Sequence, residues 1–403
     1  MQSGASLKKE NRFVISINQI IDFLSMACLL LFSARECMMK LFPFLPYMAF
    51  TYLVFLLLVF FLLLEQKRIN YKALIFLLAV IVVCFLNWEL TNGHQKEYIY
   101  GMLIDPLAFI RLWVYFVVFS IVRDPKSLRK TLVIIAYANV LLLIFTVFRG
   151  VYGERNNVLN YVGLGISGAM WIPVIILEAF ILNGRKRTIH TLASVVFIAF
   201  IAVYGNRGSL VAILAFIVFC FFKYTKVKRK TFISIIIILV ASLVYSFQDE
   251  LRNFIITKIS SIGIFSRNLN LLISGRLGYT THRTDEIWVK VARYIKERPF
   301  TGYGLCYDRI LGGNIDVYAH NLVLEVLLSF GVIIGLVLLG LHVAMGIKNC
   351  FYAKDRDWEY LFTPFYITTT VLLMFNNSFC MLGFFWISYG LHFAMRKGKK
   401  TKN

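Results

Sequence analysis

The feature that most constrains this chain is the recurrence, from end to end, of apolar runs roughly 17–25 residues long, each able to cross a bilayer core of ~30 Å as a helix. Twelve spans are read at 13–33, 44–64, 71–88, 102–122, 131–148, 161–182, 190–205, 209–222, 231–247, 321–347, 361–377 and 379–395. Lipid offers backbone groups no water, so a spanning chain must close its hydrogen bonds within helices or within a closed barrel. Strand periodicity is absent, which excludes the barrel. The hydrophobic share of 59% excludes a soluble globular domain. The expected fold is all-α: a polytopic integral membrane protein of about 12 transmembrane helices with one large extracytoplasmic loop carrying short amphipathic helices. Residues 1–403 read as a single domain and 248–319 as the loop within it. MQSGASLKKENR precedes the first span without a cleavage pattern, so that span is expected to stay.

The net charge of +22 would point to nucleic acid in a soluble protein, but here lysine and arginine set orientation first. Alternating sides puts LKKENR, EQKRINYK, RDPKSLRK, GRKRT, KYTKVKRK, KNCFYAKDRDWEY and RKGKKTKN on one side, with about 26 of the 43 basic residues. Both termini are therefore expected in the cytoplasm, with no nucleic acid as partner. The inside residues are about 17 Lys to 9 Arg, the outside ones about 5 Lys to 11 Arg. Topology does not require an outside excess of Arg, and guanidinium is the better bidentate partner for phosphate, so an anionic ligand is expected on the outer face. Seven scattered cysteines, never in CxxC spacing, argue against a disulfide framework or a zinc site and read as packing residues.

The polar interval holds the candidate chemistry. Thr284 to Arg298 reads as an amphipathic helix capped by Thr284, with Ile287, Val291, Tyr294 and Ile295 on one face and Lys290, Arg293 and Glu297 on the other. It is expected to lie along the membrane surface with Trp288 at the interface, as a scaffold or a lid. Gly302 and Gly304 in FTGYGL allow a tight turn and close backbone approach to a ligand. His320, with Asn321 beside it, can act as general base toward a sugar hydroxyl. Arg207, between two spans, demands a ligand or carboxylate partner at that depth. Asp22 and Glu178 are substrate contacts or helix-end residues, and Asp105 and Arg111 are too badly spaced to share a helix face. Asp355-Arg-Asp357 matches a DxD pattern but falls in a short inside loop and reads as solvated. No His/Asp/Glu cluster has metal spacing, so metal-independent chemistry without a cofactor is expected. Paired broken helices of the transporter kind are absent too.

NRGSL at 206–210, SGR at 274–276, the Trp288 helix, RPFTGYG at 298–304 and HNLVLEVLLSFGVIIG at 320–335 resemble, in order, the signature of the O-antigen polymerase and O-antigen ligase superfamily. The resemblance covers roughly residues 200–340, and each motif is short, so its specificity lies in their order. The family pattern sets Trp about four residues after its loop arginine. Arg276 lies twelve before Trp288 and Arg283 five, so both are candidates. The resemblance implies a bacterial cytoplasmic (inner) membrane enzyme with an extracytoplasmic site. Its substrate would be an undecaprenyl-diphosphate-linked oligosaccharide among membrane lipids, its further partners a flippase and a chain-length regulator. Arg207, with Arg276 or Arg283, would hold the diphosphate, Asn321, Gly302 and Gly304 the substrate, and His320 would be the base. The first expectation is a polysaccharide polymerase for capsule, O-antigen or exopolysaccharide. The alternatives are ligase-type transfer to lipid-A core or protein, and a lipid-linked glycan flippase or transporter.

Overall fold

The computed structural model describes residues 16–148, 161–225, 287–312 and 318–397. Among them no strand occurs. The helices are α1 Ile17–Leu41, α2 Tyr47–Leu64, α3 Tyr71–Leu90, α4 Gly93–Ile99, α5 Pro106–Ser120, α6 Pro125–Phe148, α7 Tyr161–Ile181, α8 Gly184–Tyr204, α9 Arg207–Tyr224, α10 Val289–Glu297, α11 Tyr307–Gly312, α12 Leu322–Phe351, α13 Arg356–Phe375 and α14 Phe385–Lys397. Eight helices among the described residues are long and apolar enough to cross a membrane, nine if a bent pair counts as one span. This is a multi-pass helical membrane protein.

The expected spans are met unevenly. The pair at 190–205 and 209–222 is two separate helices, α8 and α9, parted at Gly205-Asn206. The fourth span is broken: α4 runs through a π-helical turn at Tyr100–Ile104 and meets α5 at 49°. Asp105 caps α5 by accepting the Leu107 and Ala108 N–H groups, and Pro106 takes the first helical position, where no N–H is needed. The eleventh span starts earlier than expected, at Arg356, and its charged first turn leaves it outside the eight. The twelfth is helical only from Phe385; residues 376–384 form an irregular turn instead. The span at 231–247, most of the loop, and Arg276 and Arg283 lie outside the described residues.

At the centre stands α7, whose span is 78% buried, while α3 and α8, at 11% and 17%, lie on the periphery. Lipid gives helices no hydrophobic reason to associate, so close packing has to supply it. Gly168 lets α7 approach Ile201 of α8, and Gly165 lets it approach Asn206 and Ser209 at the start of α9. Gly390 does the same for α14 against the backbone of α5, and Gly383, in the turn before α14, meets the same helix.

Among the described residues, ion pairs occur at both ends of the bundle: Lys96 meets Glu89 at 3.7 Å and Arg293 meets Glu297 at 3.6 Å at one, and four more stand at the other. Arg68 meets Asp22 at 3.0 Å, Arg129 bridges Glu178 at 3.4 Å and Asp357 at 3.2 Å, and Lys223 meets Glu359 at 2.9 Å. Asp22 and Glu178 thus have protein partners. Asp355 of the DxD pattern caps α13, accepting the Asp357 N–H at 2.8 Å, so neither aspartate is simply solvated. The opposite end carries residues 287–321 and the 376–384 turn.

Candidate functional site

The site is built on a break in α12. Gly331 sits at φ 75°, which interrupts the helical ladder. In a straight helix the Leu328 carbonyl would accept from Val332. Here Val332 donates instead to the Pro299 carbonyl at 2.6 Å, and Leu328 accepts from the Tyr303 N–H at 2.9 Å. Gly304 adds a third bond, to the Ser329 carbonyl at 3.0 Å. The RPFTGYG turn therefore replaces the bonds the break releases, as the cost of unpaired backbone groups away from water requires.

Both glycines of that turn are needed for this docking. A Cβ on Gly302 (φ 66°) would lie 2.6 Å from the Gly331 nitrogen and the Ser329 carbonyl oxygen. One on Gly304 (φ 86°) would lie 2.9 Å from Asn87 Oδ1. Gln95 holds the turn from its other side, donating to the Tyr303 and Leu305 carbonyls at 2.9 Å each. The close backbone approach expected here is thus to the chain's own α12, α3 and α4. Likewise, α10 has the expected apolar face, but Val291 packs with Ala319 and Leu328, with Ile287, Tyr294 and Ile295 around them. That face lies on protein, and the Trp288 Nε1–H donates to the Ala319 carbonyl at 2.8 Å.

Beneath this cover lies a buried polar cluster. Asp308 and Arg309 of α11 are 2% and 1% exposed. Asp308 Oδ2 accepts the Ala319 N–H at 3.0 Å. Burial pushes its carboxyl above the usual carboxylate range, against the pull of the adjacent guanidinium. The Arg309 guanidinium stands 4.2 Å from the Tyr318 ring centre, and that ring meets His320 with centroids 3.7 Å apart. One turn into α12, Glu325 is 3% exposed and accepts a hydrogen bond from the Ser378 hydroxyl.

His320 is buried at the start of α12. Asn321 is the helix cap, its Oδ1 accepting the Val323 and Leu324 N–H groups at 3.0 and 3.1 Å. Among the described residues three non-glycines hold left-handed backbone, and all border this cluster: Cys306 (φ 62°), His320 (φ 49°) and Asn377 (φ 73°). Such strain persists only where the surroundings over-determine it, and functional sites are where it concentrates.

Arg207 opens α9, half-buried, behind the Asn206 cap that accepts the Ser209 N–H at 2.7 Å. Its neighbour Gly208 abuts Asn376, where a Cβ would lie 3.1 Å from the Asn376 Cβ. Two residues further, Ser378 reaches Glu325. The 376–384 turn thus joins the Asn-Arg-Gly turn to the His320 turn.

Sequence reasoning missed Asp308, Glu325 and Ser378 as members of this cluster. Glu325 carried a signal, since an acid inside a span is a functional residue by default. Ser378 carried none, because it falls between the spans read at 361–377 and 379–395 and belongs to no motif. A search among curated proteins finds no match to the chain. The segment from 192 to 340, which holds Arg207, the docked turn and His320, matches the family model described as O-antigen ligase.

Proposed function

We propose that the chain is a membrane glycosyltransferase that moves a growing glycan from undecaprenyl diphosphate to another lipid-linked repeat unit. The observation that carries this reading is the family match over 192–340, the stretch that also supplies the buried histidine and the first arginine of the site. The basic connections EQKRINYK, RDPKSLRK and GRKRT lie at the opposite end, so by the positive-inside rule we read the site end as facing away from the cytoplasm.

In this reaction His320 takes the proton of the acceptor hydroxyl while that oxygen attacks the anomeric carbon. The bond to the lipid diphosphate breaks, and the configuration at carbon inverts. The departing group gains negative charge, which Arg207 with Arg276 or Arg283 stabilises. The spans hold the polyprenyl chains beside the site.

The family description itself favours a second reading, transfer of a finished glycan to a lipid-A core or a protein. Deleting the gene separates the two. Accumulating single lipid-linked repeats means a polymerase, and full-length lipid-linked chains mean a ligase. Reconstitution with purified lipid-linked repeat tests transfer itself: if no new glycosidic bond forms and the substrate only changes leaflet, the chain is a flippase. Full activity in both Arg276→Ala and Arg283→Ala would remove the loop arginine from the mechanism.

A further inference from the structure

We propose that Glu325 and Ser378 form a clamp that sets the distance between the histidine turn and the arginine turn, making both of them positioning residues for the transfer reaction. This rests on the glycan-transfer reading above. Two segments far apart in sequence have to meet for that reaction: the Asn206–Gly208 turn and the Tyr318–Asn321 turn. Between them lies the 376–384 turn, which touches the first directly and reaches the second through Arg309. Asn376 packs on Gly208, and Met381 Sδ lies 3.3 Å from the Arg309 guanidinium, which in turn faces Tyr318 beside His320. Within this turn, the Ser378 hydroxyl makes the side-chain hydrogen bond to α12, at Glu325. The same hydroxyl accepts the Cys380 N–H at 3.2 Å, which shapes the turn from within.

Glu325 is 3% exposed, and a polar group so buried is held by the partner the fold gives it, here the Ser378 hydroxyl. The turn that this bond anchors reaches Arg309 through Met381, and Arg309 lies over the Tyr318 ring beside His320. The clamp thereby fixes the place of His320 as well as that of the turn. A displacement of about 1 Å at such a centre costs about 100-fold in turnover.

The test uses the full-length purified protein in detergent, with lipid-linked repeat as substrate and undecaprenyl diphosphate as the binding probe. Glu325→Leu, which removes the acceptor, Ser378→Ala and the double variant are compared with the wild type. The expected result is turnover lowered by about 10- to 100-fold in each single variant, with undecaprenyl diphosphate binding within about twofold of wild type. The double variant is no slower than the slower single one, because both changes open the same clamp. Wild-type turnover in both single variants would overturn the proposal, as would weaker probe binding with turnover unchanged, or effects that simply multiply. So would a loss of turnover that tracks a loss of folded protein in thermal melts, since the pair would then serve the fold alone. An active His320→Ala protein sinks the glycan-transfer reading itself. An inactive His320→Ala with fully active Glu325→Leu and Ser378→Ala sinks only the clamp.

Discussion

Gly302 and Gly331 lie backbone against backbone, both with positive φ, at 66° and 75°, and neither has room for a Cβ. A Cβ on Gly331 would lie 2.5 Å from the Phe300 carbonyl oxygen. This contact joins the loop to the break in α12, so it couples the cover of the site to the helix that presents His320.

Gly331→Ala is therefore expected to destabilise the protein. Its backbone, at φ 75° and ψ 172°, is essentially open to glycine alone and costs an alanine about 1–3 kcal/mol before the clash is relieved. Thermal unfolding in detergent reads this as a lower melting temperature. Gly340→Ala, on the same helix with nothing within 4 Å of its Cβ, leaves the melting temperature unchanged or raises it.

His320→Ala is expected to lower transfer about 100- to 10,000-fold, the usual worth of a general base. Polymer synthesis in a complemented deletion strain measures this, and full-length polymer at normal yield would sink the role.

Asn321 was expected at the substrate, yet its side-chain oxygen caps α12. Asn321→Ala should cost about 1 kcal/mol of stability, and Asn321→Ser should restore most of it. Should Asn321→Ser restore stability but not transfer, the amide contacts substrate as well as capping the helix.

Trp288→Phe keeps the ring packing but deletes the bond to the Ala319 carbonyl. The expected loss is about 0.5–1.5 kcal/mol. Hydrogen exchange should rise at residues 318–321 and hold steady in α7. Equal change in both would mean that Trp288 supports the fold as a whole.

Asp355→Asn retains the cap on α13, because asparagine accepts the same N–H. Normal transfer is expected. A loss of transfer without a loss of stability would reinstate the DxD reading of a metal-bound sugar nucleotide.

The chain's own order of residues determined the helical membrane class, because runs of apolar residues at spanning length leave lipid as the only solvent that suits them. It also determined the amphipathic face of α10, where Val291 and its neighbours recur at helical spacing. The ordered motifs singled out Arg207 and His320, since short signatures survive in sequence whatever lies between them. Tertiary structure alone decided what those motifs face. The apolar face of α10, expected along the membrane surface, lies on Ala319 and Leu328, because an apolar stripe does not say whether lipid or protein will cover it. Glycines in FTGYGL promise close approach, yet only the fold shows that the approaching group is the backbone at Gly331. The Glu325–Ser378 pairing spans 53 residues and has no periodicity to betray it. It exists because a buried carboxylate must find a partner, and the folded bundle brings the 376–384 turn within reach.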